Sequence, residues 1–192
     1  FPATRGVTQA VTEVLASILS SFDLIKYGQL KIKMSNYFGR RARDIIPHVF
    51  SKSNIINMRL NEGYQVIFTG HSLGAAMASA TCLFALDQGF VTRARNHPFV
   101  VTFGQPRTGN EQFALTLMRE SELIYRIVNN GDLIEQIPLR TLGYKHTQGK
   151  FELSSAINHY NVLSKQFVYY VDNTNDSQDI SFWKIATTLK DS

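Results

Sequence analysis

The chain alternates short strand-like apolar runs with segments whose apolar residues recur every three or four positions. Runs at residues 64–68, 99–103 and 123–128 predict strands, and consecutive apolar residues in the second run are typical of a buried parallel strand. Helical spacing predicts helices at about 75–88 and 111–119. This alternation predicts an α/β fold with a largely parallel sheet, in a single domain over residues 1–192. More exposed strands are predicted at 144–153 and 166–171.

The first third of the chain carries two stretches with helical periodicity. Apolar residues at helical spacing predict an amphipathic helix up to residue 22; they are Val11, Val14, Leu15, Ile18, Leu19 and Phe22. A second helical stretch is predicted from Met34 to Leu60, and Pro47 is expected to kink or divide it.

Basic residues concentrate around this second stretch, at Lys31, Lys33, Arg40, Arg41 and Arg43. Because apolar and aromatic residues share the stretch at helical spacing, the pattern predicts a solvated basic helix face and no nucleic-acid partner. Attraction to an anionic lipid surface is the alternative interpretation of the same cluster.

Composition adds little to this expectation. The 192 residues are 44% hydrophobic and 18% charged with a net charge of +5, as in an ordinary globular domain. No apolar run approaches the roughly 20 residues of a membrane span, and the first residues lack a signal-peptide pattern. The single cysteine, Cys82, excludes an intramolecular disulfide and is predicted to be a core residue.

Residues 70–74, GHSLG, carry the main chemical signal. A strand-like run, a G-x-S-x-G pentapeptide and an apolar helix form the context of a nucleophile elbow, which predicts Ser72 as a nucleophile. The two glycines are expected to let the strand and helix backbones approach closely. The backbone N–H of Leu73 is the expected oxyanion donor. His71 is not expected to act as the base, because as the immediate neighbour of Ser72 in a tight turn it projects its side chain elsewhere.

An acid is expected after the serine in this arrangement. Asp132 follows the strand at 123–128 on a glycine-containing turn, where the carboxyl ends of parallel strands gather functional groups. Asp132 is therefore the predicted acid, and Glu135 is the second choice.

Three segments together resemble one known family: residues 70–76 (GHSLGAA), 102–109 (TFGQPRTG) and 126–132 (RIVNNGD). The chain resembles class 3 (fungal-type) triacylglycerol lipases, most closely the secreted lipase-like proteins of nematodes. The resemblance implies an α/β-hydrolase fold, Ser72 as nucleophile and Asp132 as acid. It also implies a lipid or ester substrate, contact with a lipid–water interface and an extracellular location, with no cofactor and no metal.

The same resemblance assigns roles near the N-terminus. Val7 falls where the family carries threonine or serine, so it would supply the second oxyanion N–H but no hydroxyl. The stripe from Val11 to Phe22 matches the family's lid helix, and a helix packed permanently on the core is the alternative. Both ends of the chain look truncated relative to the family, while the oligomeric state is left unspecified.

The chain departs from the family at the catalytic base. The family's Asp-His-x-x-Tyr-Phe segment has no matching histidine; two alignments place Asp179 or Ser192 in the histidine's position. His159 is a weak substitute, because it lies between two predicted strands. Of the others, His146 fits the family's structural histidine, and His48 and His97 are predicted surface residues.

Two functional hypotheses follow from this departure. The first is a serine carboxylic ester hydrolase whose catalytic histidine is missing from the sequence shown or lies beyond it. The second is a catalytically inactive homologue that binds lipid or a protein partner. Removing the histidine from a working triad costs about 10⁶ in kcat, so the base matters more than the hydroxyl absent at Val7.

Overall fold

The computed structural model describes residues 22–27, 30–129, 131–153 and 169–171, with side chains described for residues 31–129 and 131–150. The chain enters the described part through an antiparallel hairpin, β1 (Phe22–Tyr27) and β2 (Leu30–Ser35). Along β2, Lys31 and Lys33 are exposed while Ile32 and Met34 are fully buried. This two-residue alternation is that of a strand with one face on the core.

Helices and parallel strands follow in alternation. After α1 (Asn36–Val49) and α2 (Ile55–Asn61), the order along the chain is β3 (Ile67–His71), α3 (Leu73–Asp87), the short α4 (Arg93–Asn96), β4 (Phe99–Phe103), α5 (Glu111–Glu120) and β5 (Leu123–Asn129). A 3₁₀ turn (Arg140–Leu142) precedes β6 (Lys150–Leu153) and β7 (Tyr169–Val171).

The main sheet has five described strands in the order β3-β4-β5-β6-β7. Strands β3 to β6 run parallel, and β7 pairs antiparallel with β6. His71, Phe103 and Ile127 stand in register, so β3, β4 and β5 end at a common carboxyl edge. The predicted α/β class with a mostly parallel sheet is confirmed.

Helix α3 forms the centre of the core. It packs against β3 and β4 on one side and against α1 and α5 on the other. Its residues from Ser79 to Leu86 are all buried, as expected for a helix enclosed by protein around its circumference. The residue that precedes α3 is therefore attached to one of the most enclosed elements of the described fold.

The sheet uses its two faces differently. Phe68 and Val100 point into the core beneath α3 and are buried. On the opposite face, Ile67 is 60% exposed, Phe103 41% and Leu123 36%. Apolar side chains of this second face therefore contact solvent.

The structure corrects several boundaries predicted from the sequence. Met34 lies in β2 instead of a helix, because residues 30–35 pair with β1. Pro47 lies within the last turn of α1, and the chain leaves the helix at Phe50. Phe22 begins β1, so the predicted helix does not extend to it, and the remainder of that stripe lies outside the described residues.

In the second half, the predicted strand at 144–153 is reduced to β6, Lys150–Leu153. Tyr144 and Lys145 lie in an irregular segment, in which Lys145 forms an isolated antiparallel β-bridge with Gly109. The predicted helices at 75–88 and 111–119 are confirmed within two residues. The basic helix face is confirmed as well, since Arg40, Arg41 and Arg43 are exposed on α1. Within the described ranges, no helix has both the length and the apolar character to cross a bilayer.

Cys82 is fully buried in α3, as predicted for a core residue. Burial raises the pKa of the Cys82 thiol to about 12, although its contact with Ser121 Oγ opposes this shift. Because the thiolate is the reactive form, iodoacetamide at pH 8 should leave the native protein unlabelled and label it fully in 6 M guanidinium chloride. Mass spectrometry measures this directly, since the chain has one cysteine. Rapid labelling of the native protein would contradict the prediction.

Candidate active site

Ser72 occupies a sharp turn between β3 and α3. Its backbone has φ 52° and ψ −122°, a conformation that L-residues rarely adopt. The Ser72 N–H donates to the carbonyl of Phe103 at 2.9 Å, and its own carbonyl accepts from Ala75 N at 3.0 Å. The backbone is thus held by the neighbouring strand on one side and by the helix on the other, as a nucleophile elbow requires.

The two glycines around Ser72 have unequal roles. A Cβ atom on Gly70 would clash with the carbonyl group of Gly74 and lie 2.8 Å from Ala75 N. A Cβ atom on Gly74 would meet nothing within 4 Å. The expectation that both glycines permit the close approach is therefore correct for Gly70 alone, because only its own Cβ would point at the opposing backbone.

Asp132 is brought to the same edge of the sheet by the end of β5. Its Oδ1 accepts from Ile134 N at 2.9 Å, which fixes the carboxylate relative to its own turn. Gly104 separates it from the elbow: a Cβ atom there would lie only 2.8 Å from Asp132 Oδ2. The carbonyl of Phe103 holds the backbone of Ser72, and the next residue, Gly104, leaves the space that the Asp132 carboxylate needs, so the end of β4 lies next to both groups.

The amino end of α3 supplies the expected anion-stabilising groups. Leu73 is the first residue of the helix, where backbone N–H groups lack intrahelical acceptors and the helix dipole favours negative charge. This position suits the predicted oxyanion donor next to Ser72. The second predicted donor, Val7, lies outside the described residues, as do Val11 and the rest of the predicted lid helix up to residue 21.

None of the four histidines in the described ranges is hydrogen-bonded to Ser72 Oγ. The His71 side chain lies near Gly104, since its Nε2 would be 3.8 Å from a Cβ atom built there. His146 donates from Nε2 to the carbonyl of Glu135 at 2.7 Å, in keeping with a structural histidine. His48 and His97 are exposed, as predicted. The weak candidate His159 lies outside the described residues.

Glu135, the second choice for the acid, is committed to another interaction. Its Oε1 accepts from Lys150 Nζ at 2.9 Å and from Gln136 Nε2 at 2.8 Å. The side chain is 6% exposed, and the ion pair joins the segment after Asp132 to the start of β6. This arrangement favours a structural role for Glu135 and leaves Asp132 as the candidate acid at the carboxyl edge.

Comparison with known proteins decides the family. A profile described as "Lipase (class 3)" matches residues 1–142, which is most of the chain. The chain belongs to the class 3 lipase family. The resemblance predicted from the motifs at 70–76, 102–109 and 126–132 is confirmed.

The similar curated proteins include lipases from a fungus and a nematode. A secreted mono- and diacylglycerol lipase of Fusarium solani is 32% identical over 94 residues, covering 48% of this chain and 26% of the relative. Lipase ZK262.3 of Caenorhabditis elegans is 28% identical over 155 residues, covering 74% of this chain and 42% of the relative. The matches thus span less than half of the length of each of these relatives.

Solved structures agree on the fold. The crystal structure of a lipase from Rhizopus microsporus var. chinensis superposes with a TM-score of 0.65 at 22% identity, covering 93% of this chain and 57% of that one. The expected α/β-hydrolase fold of the class 3 lipase family is confirmed.

The unequal glycines give a matched pair of substitutions. We expect Gly70→Ala to lower the free energy of unfolding by at least about 2 kcal/mol, because the added Cβ forces the β3 and α3 backbones apart. Gly74→Ala should raise it by about 0.5–1 kcal/mol, because alanine is favoured over glycine within a helix. Urea unfolding followed by circular dichroism measures both. Equal effects of the two substitutions would show that the close approach is not confined to Gly70.

Proposed function

We propose that this protein is a serine carboxylic ester hydrolase acting on acylglycerols or related lipids. The observation that carries the proposal is the strained Ser72 turn at the amino end of α3, beside the Asp132 carboxylate. In this reaction Ser72 Oγ attacks the ester carbonyl, a base accepts its proton, and the Leu73 N–H stabilises the oxyanion. Asp132 orients the base and stabilises its protonated form.

The substrate class rests on family membership. Relatives named as mono- and diacylglycerol lipases support an acylglycerol or a similar lipid ester, and several of these are named as secreted. We extend both properties to this protein as part of the proposal: a lipid ester met at a lipid–water interface, and an extracellular location.

His159 is the histidine whose place in the chain best suits the base. It lies in the connection from β6 to β7, and Leu153 at the end of β6 pairs with both Asn129 and Tyr169. Both ends of this connection are therefore at the carboxyl edge of the sheet. They lie beside Asn129, which is three residues before Asp132 in the chain. Six residues span up to about 20 Å, which is ample for reaching Ser72. This favours His159 more than its position between two predicted strands suggested.

The alternative is a catalytically inactive homologue that binds lipid or a protein partner. One observation favours it: within the described residues, no side chain accepts or donates a hydrogen bond at Ser72 Oγ. A serine without a base is a poor nucleophile, since its own pKa lies far above neutrality.

The nucleophile is tested by hydrolysis of p-nitrophenyl butyrate. Ser72→Ala should reduce turnover by about 10³-fold or to the assay background, because the attacking oxygen is removed. Ser53→Ala, which changes an exposed serine, should leave turnover within twofold of wild type. Equal turnover by wild type and Ser72→Ala, without labelling of Ser72 by a fluorophosphonate, would exclude the hydrolase and favour the inactive homologue.

The acid and base are tested in the same assay. His159→Ala should lower kcat by about 10⁶-fold or to the assay background, and Asp132→Asn by about 10⁴-fold, with circular dichroism unchanged, because the serine then keeps its proton. His97→Ala and Asp44→Asn are matched controls at exposed positions. Full activity of His159→Ala would exclude His159 as the base while leaving Ser72 as nucleophile intact.

A further inference from the structure

The loop that joins β4 to α5 passes between the nucleophile and the acid, and it is unusually enclosed. Every residue from 104 to 109 is buried, whereas connecting loops normally run over the protein surface. A buried loop must satisfy its polar groups within the protein. Some of the partners that satisfy them lie on the helix that follows Ser72 and on the segment that follows Asp132, and others lie on β2, on β4 and within the loop.

Gln105 bonds the loop to the nucleophile's helix. The side chain is 2% exposed, and its Oε1 accepts from Thr102 Oγ1 at 2.7 Å and from Ser79 Oγ at 3.2 Å. Its Nε2 donates to Thr108 Oγ1 at 3.0 Å, which closes the loop on itself. Ser79 lies two helical turns after Ser72 on α3, so this amide fixes the loop against the helix that begins at the elbow.

Arg107 bonds the same loop to the segment that follows Asp132. The side chain is 1% exposed, and its guanidinium donates to the carbonyl oxygens of Gln136 and of Pro138, the latter at 2.9 Å. The backbone N–H of Arg107 donates to the carbonyl of Ile137 at 2.8 Å. Three consecutive carbonyls after the acid are thus held by one loop residue. Charge-assisted bonds of this kind are stronger than neutral ones.

Gly104 lies at the start of this loop, between the residue that binds the Ser72 N–H and the Asp132 carboxylate. Its N–H donates to the carbonyl of Ile127 on β5 at 2.8 Å, and a side chain at this position would meet Asp132 Oδ2. Its predecessor, Phe103, accepts from the N–H of Ser72. Any shift of the loop would therefore move the nucleophile relative to the acid, and a misplacement of about 1 Å can cost 10²-fold in rate.

We propose that Gln105 and Arg107 are positioning residues that together set the separation of Ser72 and Asp132. Gln105 holds the loop to the helix of the nucleophile, and Arg107 holds it to the segment of the acid. The inference rests on the proposed hydrolase function for its effect on rate, whereas the geometric effect can be measured without catalysis.

The test uses the full chain with Gln105→Met and Arg107→Lys, compared with wild type. Met keeps the length of Gln and removes its hydrogen bonds, whereas Lys keeps the charge of Arg and loses its planar fork. Each variant should lower kcat for p-nitrophenyl butyrate by about tenfold or more while KM stays within twofold, because the reacting groups move and the substrate surface does not. Gln112→Met and Arg40→Lys, both at exposed positions, should match wild type.

Amide hydrogen exchange supplies the readout that is independent of activity. In Arg107→Lys, the Ile134 N–H, which is bound to Asp132 Oδ1, should exchange about tenfold faster while Val100 on β4 is unchanged. In Gln105→Met, hydrogen exchange of the Ser72 N–H should become faster instead. Unchanged exchange at Ile134 and Ser72, or equal acceleration at Val100, would overturn the proposal.

The outcomes separate the two proposals. Absence of ester turnover in wild type would remove the hydrolase function, and the exchange rates would still decide the positioning role. If Gln105→Met fails to fold, Thr108→Val removes the acceptor of the Gln105 amide, together with the bond within the loop from Thr108 Oγ1 to the Pro106 carbonyl, with little change in volume. That variant should accelerate exchange at Ser72 by several-fold, and unchanged exchange would overturn the role of Gln105.

Discussion

The conformation of Ser72 is the constraint around which the described fold is built. A residue other than glycine with φ 52° and ψ −122° costs about 1–3 kcal/mol, and such strain persists only where the surroundings enforce it. Here the enforcement comes from the bond to Phe103 and from the packing of Gly70 against the Gly74 carbonyl. Because α3 is buried by the sheet on one side and by α1 and α5 on the other, relaxing the turn would require repacking the core.

Most of the buried polar contacts near the site belong to the loop between Ser72 and Asp132, and few belong to these two residues themselves. Ser72 and Asp132 are each fixed by one or two backbone bonds, whereas the loop between them carries a buried amide and a buried guanidinium. Burying such groups is costly unless they are hydrogen-bonded, so their retention at one place is most easily understood as a requirement for fixed geometry. Both proposals depend on Gly104, which follows the residue bonded to Ser72 and leaves room for the Asp132 carboxylate.

Local patterns were sufficient for most elements nearest the site, although the strand predicted at 64–68 lies three residues later, at Ile67–His71. The strand at Phe99–Phe103 is an uninterrupted apolar run, and α3 and α5 have helical spacing with clear ends. The elbow could be recognised because its strand, pentapeptide and helix are contiguous. The motifs at 70–76, 102–109 and 126–132 then indicated the family, and comparison with known proteins confirmed it.

Features that depend on distant partners were missed. The strand character of residues 30–35 comes from pairing with β1, and their basic residues suggested the amphipathic helix that follows. The unequal roles of Gly70 and Gly74 depend on the direction in which each Cβ would point, which the symmetric pentapeptide does not encode. The partners of Arg107 lie about 30 residues further along the chain, so the sequence showed this residue only as part of a motif. The base was not predictable because no histidine occupies the family's position.

The second face of the sheet has a practical consequence. Ile67, Phe103 and Leu123 all lie on this face, and each is at least one third exposed to solvent. Exposed apolar side chains that share a face promote self-association in water. This face of the sheet should therefore limit the colloidal stability of the described region in dilute buffer, even where the secondary structure is native.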